Sequence, residues 1–106
     1  MAWLILLAAG LFEVGFTTCM RLSDGFKQPW WTAGFFLSAG LSFYLLERAQ
    51  RTIPLGTAYA VWVGIGALGT AVVGMWLFRE PAETVRLVLL AVLVGAIIGL
   101  KLVSPA

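Results

Sequence analysis

Charged residues are scarce in this chain, and two common metal-binding side chains are almost missing. Only 11% of its 106 residues are charged and 61% are hydrophobic, whereas a soluble domain carries about 25% charged residues. The chain has no histidine and one cysteine, Cys19, which excludes an intrachain disulfide and leaves no credible soft-metal cluster. We therefore expect an integral membrane protein that holds no metal and no other cofactor.

Basic residues are also few and are scattered along the chain. Seven Lys and Arg residues give a formal net charge of +2. They form no cluster and accompany no glycine-rich phosphate loop, so a nucleic-acid partner is not expected. Residues Met1 to Cys19 lack the basic start and the small-residue cleavage pattern of a signal peptide, so we expect this first apolar segment to be retained.

Four apolar segments have about the length needed to cross a membrane. A helix of about 20 residues crosses a bilayer core of roughly 30 Å. The predicted spans cover approximately residues 3–20, 30–46, 55–78 and 85–103, separated by short joints rich in turn and charged residues. The sequence predicts an all-α protein with a single domain, residues 1–106, of four transmembrane helices.

Four helices in one copy enclose little more than a narrow bundle, so a transport pathway would need more than one chain. Span four contains Gly95 and Gly99 in the sequence GAIIG, a spacing of small residues that lets two helix backbones approach closely. Such spacing also arises by chance in a glycine-rich protein. We interpret it as a candidate dimer contact.

The basic residues are balanced between the two predicted sides of the membrane. Orientation normally follows an excess of Lys and Arg in cytoplasmic loops. The side that carries the N-terminus has Arg48, Arg51 and Lys101, and the opposite side has Arg21, Lys27, Arg79 and Arg86. This near balance favours insertion in both orientations, although one dominant loop would instead fix a single orientation.

Glu13 lies near the middle of the first predicted span, in the sequence GLFEVGF. A charged side chain at the bilayer centre costs at least about 2.5–3.5 kcal/mol on insertion scales, so such residues usually mark a functional site. A carboxyl group held away from water favours its neutral form and can exchange a proton for another cation. Catalysis is not expected, because no second acid or base accompanies it. The alternative is a neutral Glu that bonds neighbouring helices.

Three other side chains are predicted at a similar depth. Tyr59 and Trp62 are three residues apart and share a helix face, and Ser42 lies near the middle of span two. Hydroxyl groups can donate to a carboxylate and an indole ring can hold a cation. The alternative for Tyr59 and Trp62 is an aromatic belt at the membrane surface, but Trp62 lies about 12 Å of helix rise beyond Pro54. We predict a cation site.

Gly64 and Gly66 follow Trp62 directly. Paired glycines inside a helix lower its resistance to bending. They also permit close helix packing, which is equally common in membranes. We predict a kink in span three, without excluding a packing role.

At this point the sequence resembles the small multidrug resistance family, and within it the guanidinium exporter branch. The similarity covers essentially the whole chain. It is carried by MAWLIL, GLFEV, LSDGF, LSFYLL, IPLGTAYAVWVGIGALGT, FREP and IIGLK. The stretch from Pro54 to Gly69, together with a membrane Glu in span one, is the most specific part.

The resemblance implies an antiparallel, dual-topology homodimer in the inner or plasma membrane that exports a small organic cation in exchange for protons. It also implies roles for individual residues. Glu13 would bind the proton or the cation, and Gly10 would leave room beside it. The side chains that would order that carboxylate and line the pocket are Ser42, Tyr59 and Trp62. Gly64 to Gly66 would form the kink, and Lys101 would mark the guanidinium branch.

One position departs from the pattern of that branch. The guanidinium exporters usually carry Trp where this chain has Phe16, so an indole N–H near Glu13 is absent. Thr17 and Thr18 beyond it are unusually polar. We expect Phe16 and Thr17 to line the pocket together with Gly10. The pocket is expected to differ, which leaves three functions open. They are export of guanidinium or a substituted guanidinyl compound, broad export of quaternary ammonium or lipophilic cations, and a non-transporting partner in a two-gene pair.

Overall fold

The computed structural model describes residues 1–104 and consists of four α-helices joined by short connections. The helices are α1 (Ala2–Leu22), α2 (Pro29–Ala49), α3 (Leu55–Leu77) and α4 (Thr84–Val103). The prediction of an all-α chain with four helices is confirmed. Residues 105–106, which the expected domain includes, lie outside the described residues.

Three of the four helices are long and apolar enough to cross a membrane by length and composition. These are α1, α3 and α4. Helix α2 is as long as α1 but is not among them, and it contains two tryptophans, two serines and a tyrosine, which lower its apolar character. Helix α4 is the most apolar of the three, as expected from its sequence.

The helix ends follow from local sequence signals. Pro29 is the first residue of α2 and Pro54 caps α3, positions where a missing backbone N–H costs nothing. Helix α1 ends at Ser23, whose buried hydroxyl donates to the Met20 carbonyl and accepts from the Phe26 amide. The turn then passes through Gly25 with a φ of +71°, a left-handed conformation that glycine adopts without strain.

Helices α1, α2 and α3 form the packed part of the molecule, with α1 against both α2 and α3. Helix α4 has backbone contact with α3 alone and contributes no buried residue within the described chain. The four helices therefore do not close into a bundle, and one side of α4 is left open.

The buried core lies at the end of the molecule that carries the α2–α3 joint. It contains Leu6, Ala9, Ala49, Ile53, Ala58, Val61 and Trp62. Each of these has 6% or less of its surface exposed. Glu13 lies one helical turn beyond Ala9, at the inner boundary of this core.

Candidate functional site

Glu13 is held in the contact between α1 and α3, where it faces the backbone of Gly66. A Cβ atom added to Gly66 would collide with the Glu13 carboxyl group. Gly66 is buried, and so is the Oε1 atom of Glu13. Glycine is thus required at this position because the carboxyl group occupies the space of a side chain.

The Glu13 carboxyl group is not fully satisfied by the chain itself. Its Oε1 atom has no hydrogen-bond partner within residues 1–104. A buried oxygen without a partner costs about 1–3 kcal/mol. A proton or a bound cation with N–H donors would remove that cost, so the geometry fits an exchangeable ligand.

A buried hydrogen-bond chain lies one turn away from Glu13 and joins all three packed helices. The Trp62 indole donates to the Ser42 hydroxyl at 2.9 Å, and Ser42 donates to the Ala9 carbonyl at 2.7 Å. Ser42 is fully buried and Trp62 is 6% exposed. The structure therefore brings Ser42 and Trp62 together at Ala9, one turn before Glu13, and their hydrogen bonds run to Ala9 rather than to the carboxylate.

Tyr59 lies at the edge of this group. Its ring packs against Trp62 with centroids 5.6 Å apart, and 55% of the residue is exposed. Within the described chain its hydroxyl makes no hydrogen bond. In one copy Tyr59 lies on an open surface of α3, so its predicted contact with the carboxylate stays a prediction.

Phe16 belongs to an aromatic row between α1 and α2. Its ring stacks on Phe43 at 6.0 Å and meets Phe35 edge-on at 5.8 Å, and Phe43 in turn lies 5.5 Å from Trp62. The row gives the region near Glu13 an apolar wall in place of an N–H donor.

The glycines of the predicted pocket make close helix contacts. A Cβ at Gly10 would collide with Ile65, and a Cβ at Gly64 would lie 2.9 Å from Ile97 of α4. Helix α3 runs unbroken through Gly64 and Gly66. The structure gives these glycines packing partners, and the kink stays a prediction.

The remaining predicted residues lie further from Glu13. The Lys101 ammonium sits 5.4 Å from the Trp3 ring centroid, near the start of α1, about 15 Å of helix rise from Glu13. Gly95 and Gly99 have open space around the position of a Cβ atom. This face of α4 is free within the described chain, as a contact with another helix would require.

One contact that the sequence did not point to lies next to Glu13. The Thr17 and Thr70 hydroxyl oxygens are 2.7 Å apart, across the same α1–α3 contact. Thr17 was predicted to line the pocket, but Thr70 was not. The spacing along each helix could have indicated this contact. Thr17 lies four residues after Glu13, and Thr70 lies four residues after Gly66, which is about one turn of helix in each case.

The chain has four helices, and three of them are long and apolar enough to span a bilayer. An acidic side chain lies inside their packing. These features define a multi-pass membrane protein. The comparisons with known proteins are more specific. The family model for "Small Multidrug Resistance protein" matches residues 1–93. This chain therefore belongs to the small multidrug resistance family of membrane transporters.

Relatives with curated names cover nearly the whole chain. A "Guanidinium exporter" of Yersinia pseudotuberculosis is 43% identical over 104 residues, which are 98% of this chain and 100% of the relative. A "Probable guanidinium efflux system subunit GdnD" of Bacillus licheniformis is 40% identical with the same coverage of both chains. The "Uncharacterized membrane protein YvdR" of Bacillus subtilis is 38% identical over 106 residues, all of both chains.

Proposed function

We propose that this protein exports a guanidinium-type cation across the membrane in exchange for protons, with Glu13 as the shared binding group. The observation that carries the proposal is the buried Oε1 atom of Glu13, which has no hydrogen-bond partner within the described chain. The carboxyl group packs against Gly66, which leaves room for it. The names of the relatives support guanidinium as the cation.

The chemistry of the carboxyl group accounts for exchange. A planar guanidinium can donate two parallel N–H bonds to a carboxylate, a stronger and more directional contact than a point-charge ammonium makes. A proton on the same carboxyl group removes the negative charge that attracts the cation. Proton and cation therefore compete for Glu13, and loading one releases the other.

Ser42, Trp62 and Tyr59 have supporting roles in this proposal. The bonds from Trp62 to Ser42 and from Ser42 to Ala9 fix α2 and α3 against α1 just before Glu13. The Trp62 and Tyr59 rings offer faces that attract a cation. In this proposal the pocket around the Glu13 carboxyl group is lined by Gly10, Phe16 and Thr17.

Transport assays with purified protein in liposomes test the role of Glu13. Glu13→Gln keeps the side-chain size but removes the titratable charge, so guanidinium-driven proton movement should fall to background while the protein still assembles. Glu83→Gln is the matched control, because Glu83 is exposed at the start of α4. Normal transport by Glu13→Gln would contradict the proposal.

Two other functions have observations in their favour. The aromatic row of Phe16, Phe43 and Trp62 would suit an apolar quaternary ammonium ion. The word "subunit" in the name of one relative suits a partner in a two-gene pair. Movement of tetraalkylammonium alone by the reconstituted chain would favour the first, and no movement of either cation would favour the second.

We also propose that the working unit is an antiparallel homodimer of four-span chains, and that α2 crosses the membrane with the other three helices. Helix α4 buries nothing within its own described chain, and the surfaces at Gly95 and Gly99 are open. A second copy related by a two-fold axis in the membrane plane would cover them and bring a second Glu13 to the site.

The charge balance gives a test of the antiparallel arrangement. Two Lys residues added to the joint between α2 and α3 should bias insertion to one orientation and lower export severalfold. A partner biased in the opposite direction should restore export when both are expressed. Full activity of one strongly biased variant alone, with cysteine labelling showing a single orientation, would contradict the arrangement.

A further inference from the structure

A cavity of about 760 Å³ opens at the end of the molecule opposite the buried core. Its volume is within the range of small-molecule sites, about 300–1,000 Å³. The joints between α1 and α2 and between α3 and α4 form its outer part. The polar side chains of its lining are Thr17, Thr18, Arg21, Asp24, Thr70, Glu80 and Arg86.

The inner end of this cavity is a pair of hydroxyl groups. Thr17 and Thr70 both line it, and their oxygens are in hydrogen-bond contact at 2.7 Å. They lie one helical turn beyond Glu13 and Gly66 respectively, in the same contact between α1 and α3. Among the lining residues, these two hydroxyls therefore lie close to Glu13 along the helices.

The positive groups of the outer cavity already have partners within the protein. The Arg86 guanidinium pairs with Glu80 at 2.9 Å, so its charge is balanced. The Arg21 guanidinium lies 4.9 Å from the Phe78 ring centroid, against the wall formed by the end of α3. The inner end, by contrast, is lined by neutral hydroxyls and small residues such as Ala67.

We propose that the Thr17–Thr70 hydroxyl pair is a transit site, where the exported cation is bound by its N–H groups between the cavity and Glu13. The proposal rests on the proposed function. The Thr17 hydroxyl also donates to the Val14 carbonyl at 3.0 Å, so Thr70 donates the bond within the pair. Each hydroxyl oxygen has two acceptor lone pairs. The pair can therefore exchange its mutual hydrogen bond for bonds from the N–H donors of a planar cation.

A neutral site suits this position better than a charged one. Conduction requires binding that is favourable enough for entry and weak enough for release. A second carboxylate one turn from Glu13 would compete with it for the cation. Two hydroxyls offer directional acceptors without adding charge, so the cation is passed on to Glu13.

Thr70→Val tests the transit site because valine keeps the shape of threonine and removes the hydroxyl. The KM for guanidinium export should rise roughly three- to tenfold, the factor expected for one lost hydrogen bond. Thr70→Ser keeps a hydroxyl and should stay close to the wild-type KM. Thr57→Val is the matched control, since Thr57 is on the same helix and outside the cavity lining.

Each outcome decides the proposal. An unchanged KM in Thr70→Val, or a KM in Thr70→Ser that rises as much as in Thr70→Val, would overturn it while leaving Glu13 as the exchange group. A similar rise in Thr57→Val would overturn it as well, because the effect would then come from altered helix packing. Absence of guanidinium export by the wild-type protein would overturn both the proposed function and the transit site.

Discussion

The two ends of the packed helices α1, α2 and α3 are built in opposite ways. At the end near the α2–α3 joint, seven apolar residues are almost fully buried, and the Trp62–Ser42–Ala9 bonds tie the helices together. At the other end, α1, α3, the start of α4 and the joints beside them surround a cavity of about 760 Å³ with hydroxyl and charged groups in its lining. Glu13 lies between the closed end and the open end.

Under the proposed function, this difference would give the carboxyl group one direction of access. At the closed end, the polar groups of Trp62, Ser42 and Ala9 bond to one another. In the proposed transit, the open end would lead to Glu13 through the Thr17–Thr70 pair. A transporter must alternate such access between the two sides of the membrane. In an antiparallel dimer, access would switch sides when each copy adopts the conformation that the other copy had before.

The largest expected effect comes from disturbing the boundary between the two ends. Gly66→Ala places a Cβ atom where the Glu13 carboxyl group lies. Overpacking costs about 1–3 kcal/mol, so the transport rate should fall roughly 5- to 150-fold. Gly56→Ala, in open space on the same helix, should transport normally. Guanidinium flux in liposomes measures both, and wild-type flux in Gly66→Ala would contradict this placement of Glu13.

Filling the open end should have an intermediate effect. Ala67 lines the cavity, so Ala67→Leu should narrow the path and slow guanidinium export roughly three- to tenfold. Its thermal unfolding midpoint should be unchanged because the added atoms enter free space. Ala60→Leu is the control, since Ala60 is exposed on α3 outside the cavity lining. Equal flux in the two variants would show that the cavity is not the route.

The closed end should give the smallest effect, and it is one of stability. Trp62→Phe removes the donor of a buried bond, which in membranes is worth about 0.6 kcal/mol on average. Ser42→Ala leaves the Trp62 N–H buried without its partner and should lower the unfolding midpoint further. In Ser42→Ala/Trp62→Phe the losses should be less than additive. Strict additivity in detergent would show that the bond seen here does not couple α2 to α3.

The sequence was sufficient for the four helices, because they follow from periodicity and length. Apolar runs of about 20 residues interrupted by turn residues predict helices directly. The shared depth of Ser42 and Trp62 followed from counting turns. The choice of Glu13 rested on the cost of a charge in a membrane.

The partners across each helix contact were not predictable in the same way. Spacing along α3 shows that Gly66 and Thr70 share a face, but it does not show which residues of α1 oppose them. That depends on the rotation and register of two helices, which close packing decides. For this reason the sequence does not indicate that Gly66 faces the Glu13 carboxyl group, that Thr70 opposes Thr17, or that the Ser42 hydroxyl donates to Ala9.

Competition between protons and guanidinium for Glu13 is the central claim, and proton release on binding tests it most directly. Guanidinium added to the purified protein in weakly buffered detergent should release protons, and its affinity should rise with pH, because a deprotonated carboxylate attracts the cation. Both signals should vanish in Glu13→Gln and persist in Glu83→Gln. Guanidinium binding with no proton release and with the same affinity at every pH would contradict the account.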